Sequence, residues 1–405
     1  MDRKALLARI DEKACLDILS RMVQHKSYTE TEGEKALVRH MVQQMRAIGM
    51  TADEAPVGGG RINAIGHLRG AGGGKSLMFN GHLDTNPATE GWTVDPWGGK
   101  VDDKFIYGIG VSNMKAGDAA YFCAVKTLVD AGVKLRGDVV LTFVVGELQG
   151  GVGTVAFIEQ GLRADYFINT EPTDLQAVTM HAGGGSFTIE LTGDTRHLSK
   201  REEGVDALMA ACELAPIING MTFSNALSDE HRSINRGHVG VLHAALGREL
   251  HEWRPPQVAD FARLKGSARY APGQTRDGVM ADLRRVLDDL EKRRPGLKAV
   301  LIPREDGDRP SMPPFEVAKD ARIVKVLNGA YQTIRGTSQP TGAITPPGFY
   351  GTDASHLLHR AGMEGVVCGP GGRYNTMPDE RVDIVDYLDA IRLYMLAILD
   401  ICEVA

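Results

Sequence analysis

Apolar residues recur three and four positions apart over Leu6–Gln24 and again over Glu34–Ile48. That spacing puts them on one face of an α-helix and predicts two amphipathic helices. Shorter apolar runs at Ile62–His67 and Leu77–Asn80 predict strands. Between them, Arg69–Ser76 resembles a phosphate loop, but the first glycine of GxxxxGKS falls on Arg69, so a flexible strand-to-strand turn is predicted instead. Val139–Val145 is apolar throughout, the pattern of a strand buried on both faces. Helical patterns at Met114–Ala131 and Val152–Gln160 flank it in the chain. This alternation predicts an α/β sheet with helices on both faces, whose chemistry sits in loops at strand ends. His82, Asn113, Glu147 and Glu171 fall at such ends.

After Glu171-Pro172-Thr173 the texture changes. Ser186–Thr192 alternates like a half-buried strand, and Val239–Leu242 and Ala268–Tyr270 read as further short strands. Val205–Ala215 and Gly278–Arg293 read as helices. Two helices on a small antiparallel sheet predict an inserted α+β domain over 178–308. It would divide a catalytic domain into 1–177 and 309–405. Helices and short strands resume at Ala318–Ile334, His356–Ala361, Gly365–Cys368 and Ile384–Ile401.

A chain of 405 residues suits two domains. A hydrophobic content of 43% with 24% charged residues is that of a soluble globular protein. The net charge of −6 and the lack of a basic stripe exclude a general nucleic-acid binder. No apolar run approaches the roughly 20 residues that span a bilayer. Met1–Arg21 also lacks the uninterrupted apolar stretch of a secretion signal. The five cysteines are scattered, with no CxxC pair, which argues for reduced thiols and a cytoplasmic location. Cys368, beside Gly369-Pro370-Gly371, reads as a buried structural thiol in preference to a site residue.

Chemistry gathers first at Asn80-Gly81-His82-Leu83-Asp84-Thr85. A histidine two residues before an aspartate can bind a metal through one ring nitrogen while the aspartate holds the other. Alone, HxD is more often a surface turn. A glycine-rich turn opens a helix at Tyr107–Gly117, Glu147 sits between the buried strand and a second glycine turn, and Glu171-Pro172 puts another carboxylate at a strand end.

In order and spacing these motifs resemble the metallopeptidase family that contains aminoacylase, carboxypeptidase G, acetylornithine deacetylase and succinyl-diaminopimelate desuccinylase. Trp92 with Asp95-Pro96-Trp97, the lid segment Gly193–Ser199, Gly351-Thr352-Asp353-Ala354, and the tail Gly369-Pro370-Gly371 followed by Pro378-Asp379-Glu380 match family landmarks. The resemblance covers nearly the whole chain. It implies a mixed-sheet catalytic domain with helices on both faces and an inserted lid and dimerisation domain.

Family members hold two ions bridged by an aspartate. The first ion's own ligands correspond to His82 and Glu171, both intact. The bridging position is Asn113, and the second ion's positions are Leu148 and Thr376, with Asn375 beside it. These changes remove the charge that a second ion needs. The resemblance therefore implies one labile divalent ion (Mn²⁺, Co²⁺ or Zn²⁺) held by His82, Glu171 and Asn113. Glu147 occupies the general-base position and Asp84 would orient His82. His197 in the lid segment would stabilise charge in a partner subunit's site, which implies at least a homodimer. Arg269 lies where members bind a substrate carboxylate, and Asn375 and Thr376 would face the substrate.

The implied reaction is hydrolysis of a C–N bond in a small carboxylate-bearing molecule. With one ion lost, an activated substrate is expected, as for a member of the 5-nitroanthranilate aminohydrolase kind, which replaces an aromatic amine by hydroxyl. The alternatives are an N-acyl amino acid deacylase or peptidase with a two-metal site, and a non-catalytic binding or regulatory relative. Retention of His82, Asp84, Glu147, Glu171 and His197 together argues against the last.

Overall fold

The computed structural model describes residues 2–304 and 309–405 and divides them into two compact units. The first comprises the chain up to Thr179, Glu316–Pro347 and Thr352–Ala405, and the second Met180–Phe315 and Gly348–Gly351.

The first unit is built on an eight-stranded mixed sheet. Its strand order is Thr51–Gly58, Arg61–Leu68, Val139–Val144, Leu77–His82, Tyr166–Pro172, Glu364–Gly369, Ala177–Val178 and Thr341–Gly342. The four strands from Val139–Val144 to Glu364–Gly369 run parallel. Val139–Val144 and Leu77–His82 are buried at every position, as the unbroken apolar run at 139–145 requires. The helices Ala116–Asp130 and Ile384–Ile401 are buried nearly all round, and the polar stripe of the second is ion-paired: Asp386 and Asp389 with Arg335, and Arg392 with Glu12.

The helix expected over Leu6–Gln24 is two helices, Arg3–Leu7 and Glu12–Gln24. The Asp11 carboxylate accepts from the Ala14 amide at 3.0 Å and starts the second, so a cap interrupts an apolar rhythm that continues through it. Arg69–Ser76 is a turn, held when Asp165 accepts from Lys75 and from the Ser76 amide and hydroxyl.

The second unit has its own core, between a four-stranded antiparallel sheet and the helices Ala207–Asn219 and Arg276–Arg293. Its strand order is Arg236–Ala245, Phe261–Tyr270, Gly183–Thr192 and Lys298–Pro303. The expected close of the insert at residue 308 lies outside the described residues. The unit extends to Phe315 and takes in 348–351, residues expected in the catalytic part. They belong here because the Ala182 amide donates to the Gly348 carbonyl at 2.8 Å and the Arg236 guanidinium lies 4.1 Å from the centre of the Phe349 ring. Among the described residues, no helix is long and apolar enough to cross a membrane.

Candidate metal centre

His82 closes the strand Leu77–His82 and is 2% exposed. Its Nδ1 lies 2.9 Å from the main-chain carbonyl of Asp84. A carbonyl only accepts, so Nδ1 carries the proton and Nε2 is the nitrogen offered to the site. Nε2 faces Asn113 Oδ1 at 3.1 Å, Glu171 Oε1 at 3.6 Å and Glu147 Oε2 at 4.0 Å. Ligand atoms of His82, Glu147 and Glu171 all lie within 4.8 Å of one another.

The role expected of Asp84 needs correcting. Its carboxylate is 3.6 Å from Nδ1, too far for a hydrogen bond. Instead Asp84 Oδ1 accepts from the amides of Gly146 at 2.8 Å and Glu147 at 3.3 Å. One residue thus fixes the His82 ring with its main chain and the Glu147 turn with its side chain. On the turn's other side, Arg61 donates to Glu34 through Nε at 3.0 Å and to Gln149, whose amide donates to Glu30 at 2.6 Å. Gly146 (φ +77°) lies against this arginine, and a Cβ there would sit 2.8 Å from Nη1.

The remaining expected site residues separate. Thr376 lines a cavity that His82, Asp84 and Asn113 also line. Asn375 is half-buried and is not part of that wall. His197 and Arg269 belong to the second unit. The His197 ring is exposed, with Nδ1 3.0 Å from the Ser199 hydroxyl. Arg269 is half-buried on Phe261–Tyr270, its guanidinium packed over Gly184. Cys368 is fully buried, with the Gln339 amide at 3.5 Å, in keeping with a structural thiol.

Two further acids of the site region, Glu380 and Asp353, lie in the landmark motifs and are buried. Glu380 is buried and accepts from the amides of Ser112 at 2.9 Å and Asn113 at 3.1 Å, fixing the turn that carries Asn113. Asp353 is buried, with one oxygen held by Thr154 at 2.7 Å and the other, Oδ1, without a hydrogen-bond partner. Both lie in motifs visible in the sequence, Pro378-Asp379-Glu380 and Thr352-Asp353-Ala354.

The cluster has more buried negative charge than one imidazole balances. Burial, then the Glu171 charge, holds Glu147 well above the ordinary carboxylate range. Burial pushes Glu171 up to about 7 and Asp353 to about 6. Burial also opposes the His82 imidazolium, but Glu171, Asp84 and Glu147 outweigh it and raise the ring to about 10. Such a cluster takes up cations, and a divalent transition metal that displaced the Nε2 proton would find an imidazole nitrogen and two carboxylates as a donor set.

Residues 78–400 match the family described as Peptidase family M20/M25/M40. The chain belongs to this family. It is 25% identical over 404 residues to the N-formyl-4-amino-5-aminomethyl-2-methylpyrimidine deformylase of Bacillus subtilis (strain 168), covering 92% of this chain and 90% of that one. It is 26% identical over 368 residues to the acetylornithine deacetylase of Yersinia pestis, covering 87% of each. Its fold is that of aminopeptidase PepT from Bacillus cereus ATCC 10987, with a TM-score of 0.75 at 20% identity over 97% of this chain and 99% of that one. Human carnosine dipeptidase 1 gives 0.73 at 15% identity, over 99% and 100%. As an M20 member the chain is a metal-dependent hydrolase of carbon–nitrogen bonds.

Proposed function

We propose that this M20 hydrolase removes an acyl group from the nitrogen of a small molecule, using one labile divalent ion held by His82, Glu171 and Asn113. The observation that carries the reading is the cluster of His82, Glu171 and Glu147, whose ligand atoms lie within 4.8 Å of one another. An ion there would polarise the amide and lower the pKa of water. Glu147 is the base: it takes a proton from the attacking water and gives it to the leaving nitrogen. Burial and the Glu171 charge raise its pKa, the direction that makes a carboxylate a stronger proton acceptor. Asp84 keeps Glu147 in reach by holding its amide, and Glu380 does the same for Asn113.

The relatives' names favour this reaction over hydrolytic deamination of an aromatic amine, since one is a deformylase and another a deacetylase. Arg269 is kept as the partner for a substrate carboxylate, and His197 as a group that acts across a homodimer formed through the second unit. Mn²⁺, Co²⁺ and Zn²⁺ are the candidate ions.

The test is a panel of N-formyl and N-acetyl amino acids and amines, offered to chelator-stripped protein reloaded with each metal. Metal-dependent release of formate or acetate is expected. No release with any metal or substrate would leave the chain a binding protein on a hydrolase fold.

A further inference from the structure

The turn Glu147-Leu148-Gln149 sends its side chains three ways. Glu147 points to the metal cluster, Gln149 to Arg61, and Leu148 into the cavity. That cavity has a volume of about 200 Å³. Its lining is mixed: His82, Asp84, Asn113 and Glu380 are among its polar members, and Trp92, Ile109, Leu148 and Met377 among its apolar ones. Leu148 is 38% exposed and Met377 41%, so both offer apolar surface to an occupant of the cavity. The described wall contains no lysine or arginine, while two of its members, Asp84 and Glu380, are acids.

We propose that this cavity receives an uncharged, ring-sized apolar part of the substrate, selected by Leu148 and Met377, with the scissile bond towards His82 and Asn113. The proposal rests on the hydrolase reading only in taking the occupant to be part of a substrate. Size supports it: an apolar cavity of about 150 Å³ accepts benzene, so this space holds one six-membered ring with little to spare. Solvation supports it as well: a charged group placed against Leu148, Met377 and Trp92 would lose its hydration with no partner among them. A methyl-sized group would leave most of the apolar wall wet, so the cavity discriminates against acetyl-sized occupants. Leu148 occupies a position where the resemblance gives other members a metal-binding carboxylate. The same substitution that removes an ion therefore adds apolar surface to the substrate's side of the site.

The experiment measures binding by calorimetry on the metal-loaded full chain, with benzamide, cyclohexanecarboxamide, acetamide and 4-carboxybenzamide as probes. Benzamide and cyclohexanecarboxamide are expected to saturate one site in the millimolar range, at least tenfold more tightly than acetamide or 4-carboxybenzamide, whose charge would lie against the apolar residues. Leu148→Trp and Met377→Trp, which fill the cavity from exposed positions, are each expected to weaken benzamide at least tenfold. Equal affinity for acetamide and benzamide, or benzamide binding unaffected by both variants, overturns the proposal. Because the readout is binding, ring selectivity without turnover would break the hydrolase reading alone. Turnover of N-acetyl substrates without ring selectivity would break this one alone.

Discussion

The Nδ1 of His82 lies 2.9 Å from the main-chain carbonyl of Asp84 and 3.6 Å from its carboxylate. The carboxylate is thereby released to accept from the amides of Gly146 and Glu147. Asp84→Ala should leave the ring's tautomer intact, because the carbonyl remains, and loosen the turn that carries Glu147. The expected result is a kcat lower by about 10- to 100-fold with metal affinity within about threefold of the parent. Asp84→Asn keeps an accepting oxygen and should lose less. A large loss of metal affinity at unchanged kcat would mean that the carboxylate holds the ring after all.

Glu147 is close enough to His82 and Glu171 to be either base or ligand. Glu147→Gln separates the roles, since an amide cannot take a proton from water. As a base, its loss should lower kcat by about 10²- to 10⁴-fold while the bound metal stays near one per chain. Elemental analysis of the dialysed variant decides between them: protein that emerges metal-free identifies a ligand.

Much of this site was legible because its residues sit in short motifs at strand ends. His82, Asn113, Glu147 and Glu171 were named from pattern alone, and the sheet brings them together. Asp84 was found with the wrong atom in charge, because sequence shows a side chain and hides the carbonyl that competes with it. Arg61 and Glu34 were missed: their pairing depends on how a strand packs over a helix, and nothing local marks either residue. The break at Ala8–Asp11 was missed because apolar spacing can continue across two helices in line. The cavity was invisible because its wall draws on four separate stretches of chain.

One ion per chain follows from Asn113, Leu148 and Thr376. Titration of chelator-stripped protein with Mn²⁺, Co²⁺ or Zn²⁺ should end near one equivalent. The triple variant Asn113→Asp, Leu148→Glu, Thr376→His should end near two. The third change carries little backbone cost: Thr376 has φ +54°, a conformation that histidine adopts more readily than a β-branched residue. One equivalent for the triple variant would show that the second ion's site is closed by more than its missing ligands.

The ion pair of Arg61 with Glu34 lies under the Glu147 turn, with side chains 10% and 1% exposed. Removing one partner strands a buried charge, so Arg61→Ala should destabilise the fold by about 3–5 kcal/mol. Replacing both, as Glu34→Gln with Arg61→Met, should cost less in denaturant unfolding, because no charge is left alone. The double variant should still lose kcat, since Gln149 has lost the arginine that anchors it. Full activity in the double variant would reduce the pair to a packing feature.

His356 gives the fold a dependence on pH that is separate from the metal ligands. Its Nε2 donates to the Gly150 carbonyl at 2.8 Å, Nδ1 is buried without a partner, and burial lowers the ring from 6.5 to about 4. Below pH 6.5 the unfolded chain protonates this histidine, whereas the folded chain does not until about pH 4. The unfolded state therefore binds more protons across that window, and stability rises with pH through it. The contribution is fully present above pH 6.5 and is lost progressively down to pH 4, with a ceiling of about 3 kcal/mol. In chelator, the denaturant midpoint of the parent should fall more steeply between pH 6.5 and 4.5 than that of His356→Gln, which has no proton to gain. Parallel slopes for the two proteins would show that His356 stays accessible to protons in the folded state.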